Sequence, residues 1–226
     1  MLTVSALVFD LDDTLFCEQE YVLSGLTAVG QYLEKEYKLP HFTDVATDLY
    51  HQGRRGNLFN LAFEILQFTY SFELIECLIT VYRSHTPALS LFSDAAIVLE
   101  QYRKKYKMAL LTDGYLIAQR NKVAALNIAS YFDYIIYTDE YGRQCWKPSP
   151  FAYKKVADYF SLSPAQLIYI SDNPNKDFIA PNQLGWHSVM VKREKGEYSH
   201  MTHIPLPQKA EFEISSLLEL SNIIEN

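Results

Sequence analysis

The opening run Thr3 to Phe9 is apolar and β-branched and ends in acids, the pattern of a buried strand whose carboxyl end opens onto polar ground. After it the period changes. Between about Phe16 and Leu89 no strand pattern occurs. Val22, Leu26, Val29 and Leu33 recur at helical spacing, and Leu74, Ile75, Leu78, Ile79 and Tyr82 repeat that stripe. Phe42 to Tyr50 and Leu58 to Phe68 read as two further helices, either side of the turn-rich His51-Gln52-Gly53-Arg54-Arg55-Gly56-Asn57. Four helices in succession predict a small bundle. From Asp94 onward helices and strands alternate: a helix to about Tyr106, strand Met108 to Thr112, a helix through Leu126, then strand Tyr134 to Thr138. A second round has a helix opened by Ser149 as cap and Pro150 in the first turn, running to Phe160, and strand Leu167 to Ser171. A short helix, strand His187 to Val191, strand Glu211 to Ile214 and a helix from Ser215 to Glu225 complete the chain. Such alternation predicts an α/β, doubly wound, mainly parallel sheet, with the helical block inserted after the first strand. The expected domains are 1–15 with 89–226, and 16–88.

Composition narrows this picture. At 226 residues, 49% hydrophobic and 21% charged, the chain suits a folded domain with an insert and excludes disorder or a coiled-coil rod. Lys and Arg total 20 against 27 acids, a net charge of −7, and no basic stripe is present, so nucleic acid is not an expected partner. The apolar start carries no preceding Lys or Arg and runs into Asp10, Asp12 and Asp13, unlike a signal peptide, and no run of about 20 apolar residues predicts a membrane span. Three cysteines, Cys17, Cys77 and Cys145, are odd in number and far apart, which fits a reducing, cytoplasmic setting. A monomer or homodimer is expected.

Ligands of parallel α/β sheets bind beyond the carboxyl ends of the strands. Here the first strand exits into Asp10-Leu11-Asp12-Asp13-Thr14, the second into Thr112-Asp113-Gly114, and a later one into Ser171-Asp172-Asn173-Pro174-Asn175-Lys176-Asp177, with Lys147 just before a helix start. Carboxylates from two strand ends can hold a hard cation such as Mg2+. Thr112, helix-terminal amides and Lys147 can hold a phosphate. The set suits phosphoryl transfer. An EF-hand counted from Asp10 fails, with Leu15 at the sixth position and Tyr21 at the twelfth.

In these motifs the sequence resembles the haloacid dehalogenase-like (HAD) hydrolase superfamily, whose four ordered signatures match Asp10-x-Asp12-x-Thr14-Leu15, Thr112, Lys147-Pro148 and Asp172-x4-Asp177. The resemblance implies a Rossmann-like core with a C1-type helical cap formed by the insert. It implies Asp10 as nucleophile, Asp12 as acid and base, and Mg2+ held by Asp10, the backbone carbonyl of Asp12, and Asp172. Thr14 and Asp177 would support these ligands. Thr112, Asp113, Gly114 and Lys147 would bind the phosphate, Lys147 also acting in catalysis. The acid at position 12, absent from the dehalogenases that gave the superfamily its name, implies phosphate-ester chemistry. Asp113 stands where the family often has Asn and Ser171 where it often has Gly, and Asp113 would add negative charge beside the phosphate. The expected activity is a Mg2+-dependent phosphatase of a small soluble ester, a sugar phosphate or nucleoside monophosphate, acting through an aspartyl-phosphate. A phosphomutase using the same Asp pair and a non-catalytic binding module are the alternatives. Arg54 or Arg55, if inward, would contact a second polar group of the substrate.

Overall fold

The computed structural model describes residues 1–224. Two compact units are present: one comprises Met1–Glu18 with the chain from Leu89 onward, the other Gln19–Ala88.

The first unit is built on six strands, β1 (Ala6–Phe9), β2 (Lys107–Thr112), β3 (Tyr134–Tyr137), β4 (Leu167–Ser171), β5 (His187–Val191) and β6 (Phe212–Ile214). Their order is β3-β2-β1-β4-β5-β6, and every pairing is parallel. β1 is central and all four of its residues are buried, as a strand covered on both faces requires. Its side chains alternate: Ala6 and Val8 join Ala152, Tyr153 and Val156 of the helix Phe151–Phe160, while Leu7 and Phe9 face the other way. Because β2 and β3 lie on one side of β1 and β4 to β6 on the other, the direction in which strands are added reverses there, and the crevice at its carboxyl end is where a ligand belongs.

Four helices make the inserted bundle: α1 (Glu18–Tyr37), α2 (Phe42–His51), α3 (Leu58–Ile65) and α4 (Phe72–Ser84). Leu26, Val29 and Leu33 of α1 share a core with Phe42, Ala46 and Leu49, with Ala62 and Phe63, and with Leu74 and Leu78. Gly25 and Gly30 allow the close approach, since a Cβ at Gly25 would enter the Tyr82 ring and one at Gly30 the Thr43 side chain.

The core helices are α5 (Ser93–Tyr102), α6 (Leu116–Leu126), α7 (Phe151–Phe160) and α8 (Ile179–Leu184). Several boundaries differ from the sequence expectation. α3 stops at Ile65, short of Phe68, because Gln67 turns left-handed (φ 52°) and Phe68 N–H donates to the Phe63 carbonyl at 2.9 Å. α7 starts at Phe151, with Pro150 outside it: Ser149 is held in a turn by its N–H to the Trp146 carbonyl (2.9 Å). The expected terminal helix Ser215 to Glu225 is a 3-10 segment, Leu217–Asn222, capped reciprocally by Ser216 and Glu219, and Glu225 lies outside the described residues. Among the described residues no helix is long and apolar enough to cross a membrane.

Candidate active site

Sheet register assembles the site. Phe9 pairs with Leu110 on one side and Ile170 on the other, and Asp10 N–H donates to the Ile170 carbonyl at 2.9 Å, so Asp10 leaves β1 between the exits of β2 and β4. There its carboxylate meets those of Asp172 and Asp177: one oxygen from each lies within 4.8 Å of the others, and all three side chains are buried.

Lys147 enters this group from the segment before α7. Its Nζ is 2.9 Å from Asp10 Oδ1, 2.8 Å from Asp177 Oδ1 and 3.0 Å from the Tyr169 hydroxyl. Burial alone would depress the lysine, but the Asp10 and Asp177 carboxylates overcome it and hold the ammonium well above its ordinary value. Burial raises the Asp10 carboxyl to about 6 against the pull of Lys147, with Asp177 adding repulsion. Asp172 is likewise raised well above the carboxylate range, by burial and then by Asp177 and Asp10. Asp177 is lowered, because Lys147 and Lys176 outweigh its burial. Buried, mutually repelling oxygens of this kind suit a hard divalent cation, and the donor chemistry fits Mg2+.

The expected residues do not all point the same way. The Asp12 carboxylate stands outside the acidic triad and turns toward α6, where Oδ1 is 2.6 Å from Lys122 Nζ and Oδ2 accepts from Gln119 Nε2 at 2.9 Å. Thr112 is fully buried at the end of β2. The Asp113 side chain accepts from the Thr138 hydroxyl (2.7 Å) and from Lys147 N–H (3.0 Å to Oδ2), and Lys176 Nζ lies 3.7 Å from Oδ2. Its carboxylate therefore anchors the Lys147 segment. Gly114, beside it, adopts φ +121°, conformational space that a side chain rarely enters. Thr14 is buried, and its carbonyl accepts from Arg193 Nη2 at 2.6 Å. Ser171 places its hydroxyl 2.5 Å from Asp177 Oδ2 and 3.2 Å from Asp10 Oδ2, a link that glycine could not make. In the helical unit, Arg54 and Arg55 lie in an exposed loop between Gly53 and Gly56, both at positive φ. Arg55 is folded back on that loop, donating to the Tyr50 and Arg54 carbonyls at 2.9 Å and stacking 4.1 Å from the Tyr50 ring centre.

Three contributors escaped the sequence reading: Gln119, Lys122 and Tyr169. Gln119 and Lys122 interrupt the buried stripe of α6, which otherwise holds Ala118, Val123 and Leu126, and a polar pair inside such a stripe was the available signal.

Comparison with known proteins places this arrangement. The haloacid dehalogenase-like hydrolase family matches residues 7–191. The glyceraldehyde 3-phosphate phosphatase of Methanocaldococcus jannaschii is 25% identical over 232 residues, covering 99% of this chain and 98% of that protein. The N-acylneuraminate-9-phosphatase of Rattus norvegicus is 23% identical over 240 residues, covering 99% and 94%. Among solved structures, a HAD phosphatase from Thermococcus onnurineus superposes with a TM-score of 0.63 at 22% identity, covering 97% of each chain. With three signatures at adjacent strand ends, Lys147 joining them from the segment before α7, and the helical insert after β1, the chain belongs to the haloacid dehalogenase-like hydrolase family, in its phosphatase branch.

Proposed function

We propose that the chain is a Mg2+-dependent phosphomonoesterase for small phosphorylated metabolites, sugar phosphates or nucleoside monophosphates, with Asp10 as nucleophile and Asp12 as general acid and base. The observation that carries this reading is Asp10 itself, a buried carboxylate at the central strand's end with Lys147 Nζ 2.9 Å away and Asp172 and Asp177 beside it. Mg2+ would be held by Asp10 and Asp172 with the Asp12 carbonyl, Asp177 lying alongside, and would supply the positive charge that lets a carboxylate approach an anionic ester.

Asp10 attacks phosphorus through one carboxylate oxygen, and the ester oxygen departs with a proton from Asp12. Asp12, now ionised, takes a proton from the water that attacks the aspartyl-phosphate, so inorganic phosphate leaves and both acids return to their starting states. Lys147 and the Thr112 hydroxyl hold the phosphoryl oxygens throughout. The two relatives named above are phosphatases of glyceraldehyde 3-phosphate and of an N-acylneuraminate 9-phosphate, which favours a small hydroxylated substrate over a macromolecular one. Substrate choice would lie with the helical unit, where Arg54 remains the candidate contact.

The test is a panel of sugar phosphates, nucleoside monophosphates and an aryl phosphate, assayed with and without Mg2+ for released inorganic phosphate. Metal-dependent release on a subset of the panel is the expected result. Rearranged phosphate esters without free phosphate would indicate a mutase, and an inert panel a binding module.

A further inference from the structure

Gln119 is only 1% exposed, and it lies on α6 between the first and second signatures. Its side-chain nitrogen reaches both: Nε2 is 2.9 Å from Asp12 Oδ2 and 2.5 Å from Thr112 Oγ1. An amide nitrogen donates and does not accept, so Nε2 gives one of its two hydrogens to Asp12 Oδ2. The other hydrogen of that NH2 then fixes Thr112 Oγ1 as an acceptor, which leaves the Thr112 hydroxyl proton free to donate elsewhere. Gln119 therefore does two things with one group. It turns the Asp12 carboxylate, and it orients the Thr112 hydroxyl as a donor.

The surroundings hold the amide in place. Lys122, one turn along α6, takes the other Asp12 oxygen at 2.6 Å, so the carboxylate cannot swing from the amide without also leaving the lysine. On its opposite side the glutamine lies over Gly114, where a Cβ would stand 3.3 Å from its Cδ and 3.4 Å from its Oε1. A side chain at position 114 would crowd this glutamine.

We propose that Gln119 is a positioning residue that couples the proton-transfer acid Asp12 to the phosphate donor Thr112, so that both are aligned, or misaligned, together. The inference rests on the roles proposed above for those two residues. A glutamine that merely filled space would be replaceable by methionine, which has nearly the same length and no donor. A coupling glutamine would not.

The experiment compares wild type, Gln119→Met and Asp10→Asn on a series of phosphate esters whose leaving groups range from nitrophenol to simple alcohols, with orthovanadate inhibition and thermal melting measured in parallel. Gln119→Met should lose on the order of tenfold more kcat/KM on alkyl than on nitrophenyl esters, since only poor leaving groups need the proton. Its orthovanadate inhibition should weaken by about tenfold through the misdirected Thr112 hydroxyl. An unchanged leaving-group dependence with unchanged inhibition would overturn the proposal whatever happens to the melting temperature. Movement of one readout without the other would overturn it too, because the claim is that one amide sets both. If Gln119→Met does not fold, Gln119→Leu, likewise without a donor, takes its place, and the same outcomes apply. Wild-type protein inert on every ester, and no different from Asp10→Asn, would instead overturn the parent reading and this inference with it.

Discussion

Asp10→Asn preserves the shape of the side chain but removes the proposed nucleophile and a charge facing Lys147. Turnover should fall on the order of 10³-fold or more while the far-ultraviolet dichroism stays unchanged, because the nucleophile's role is not shared by another group. Chelation with EDTA should likewise abolish phosphate release, and added Mg2+ should restore it, since Asp10, Asp172 and Asp177 cluster without enough opposing charge of their own. These residues were legible in the chain because each signature is a short contiguous string at a strand's end. Gln119 and Lys122 were not, as their hydrogen bonds reach Asp12 across 107 and 110 residues and nothing local records that distance. Asp113 was visible, but the string could not show that its carboxylate accepts from the Lys147 N–H and the Thr138 hydroxyl.

Helix α1 sets two opposed effects against each other. Ala exceeds Gly in helix propensity by about 1 kcal/mol, so Gly25→Ala should stabilise an isolated helix. In the bundle the added methyl enters the Tyr82 ring, itself wedged edge-on against Tyr21 (5.6 Å) and Phe59 (6.1 Å). Overpacking of about 1 to 3 kcal/mol should win, lowering the denaturation midpoint. Periodicity found the helices of this unit but passed over Gly25 and Gly30, because spacing reports which face is buried and not how near the next helix comes.

A second element, the 3-10 segment Leu217–Asn222, is tied to α5 through Asp94. Asp94 Oδ2 accepts from Arg193 Nη1 (2.6 Å), Ser216 Oγ (2.9 Å) and Leu217 N–H (2.8 Å). Burial pushes this carboxyl up, but Arg193 and the hydrogen bonds prevail and hold it below its ordinary 3.8. A depressed folded-state pKa stabilises above the unfolded value, and that stability is lost as pH falls through the folded value. Asp94→Asn should therefore cost about 2 to 4 kcal/mol at pH 7 by leaving the Arg193 guanidinium buried and unpaired. In urea melts the gap to wild type should narrow only below about pH 4.

At the scale of the molecule, each unit has a hydrophobic core of its own, and the acidic triad and Lys147 all belong to the sheet unit. Excision of residues 19–88, with a short linker joining the flanks, should leave a protein that still binds Mg2+ by isothermal titration but no longer ranks substrates as the full chain does. The junction is suited to such surgery. Phe16 bridges Leu91 antiparallel, and Phe92 N–H donates to the Leu15 carbonyl at 2.9 Å, so the chain departs and returns at neighbouring points.

That clasp bears on how the protein reaches its native state. β1 pairs with β2 in a register that joins Ala6 to Lys107, a contact that must wait until the intervening chain has been gathered in. Closing a flexible loop of about 100 residues costs roughly 4 kcal/mol of chain entropy, and slow non-local pairing follows from such a cost. If the helical bundle forms first, from its many local contacts, its own two ends already lie close, the loop still to be closed shortens to about 30 residues, and the cost falls by about 1 kcal/mol. The insert would then act as a folding aid for the sheet it interrupts. Gly25→Ala, which weakens only the bundle, should in stopped-flow refolding slow the appearance of the sheet as well.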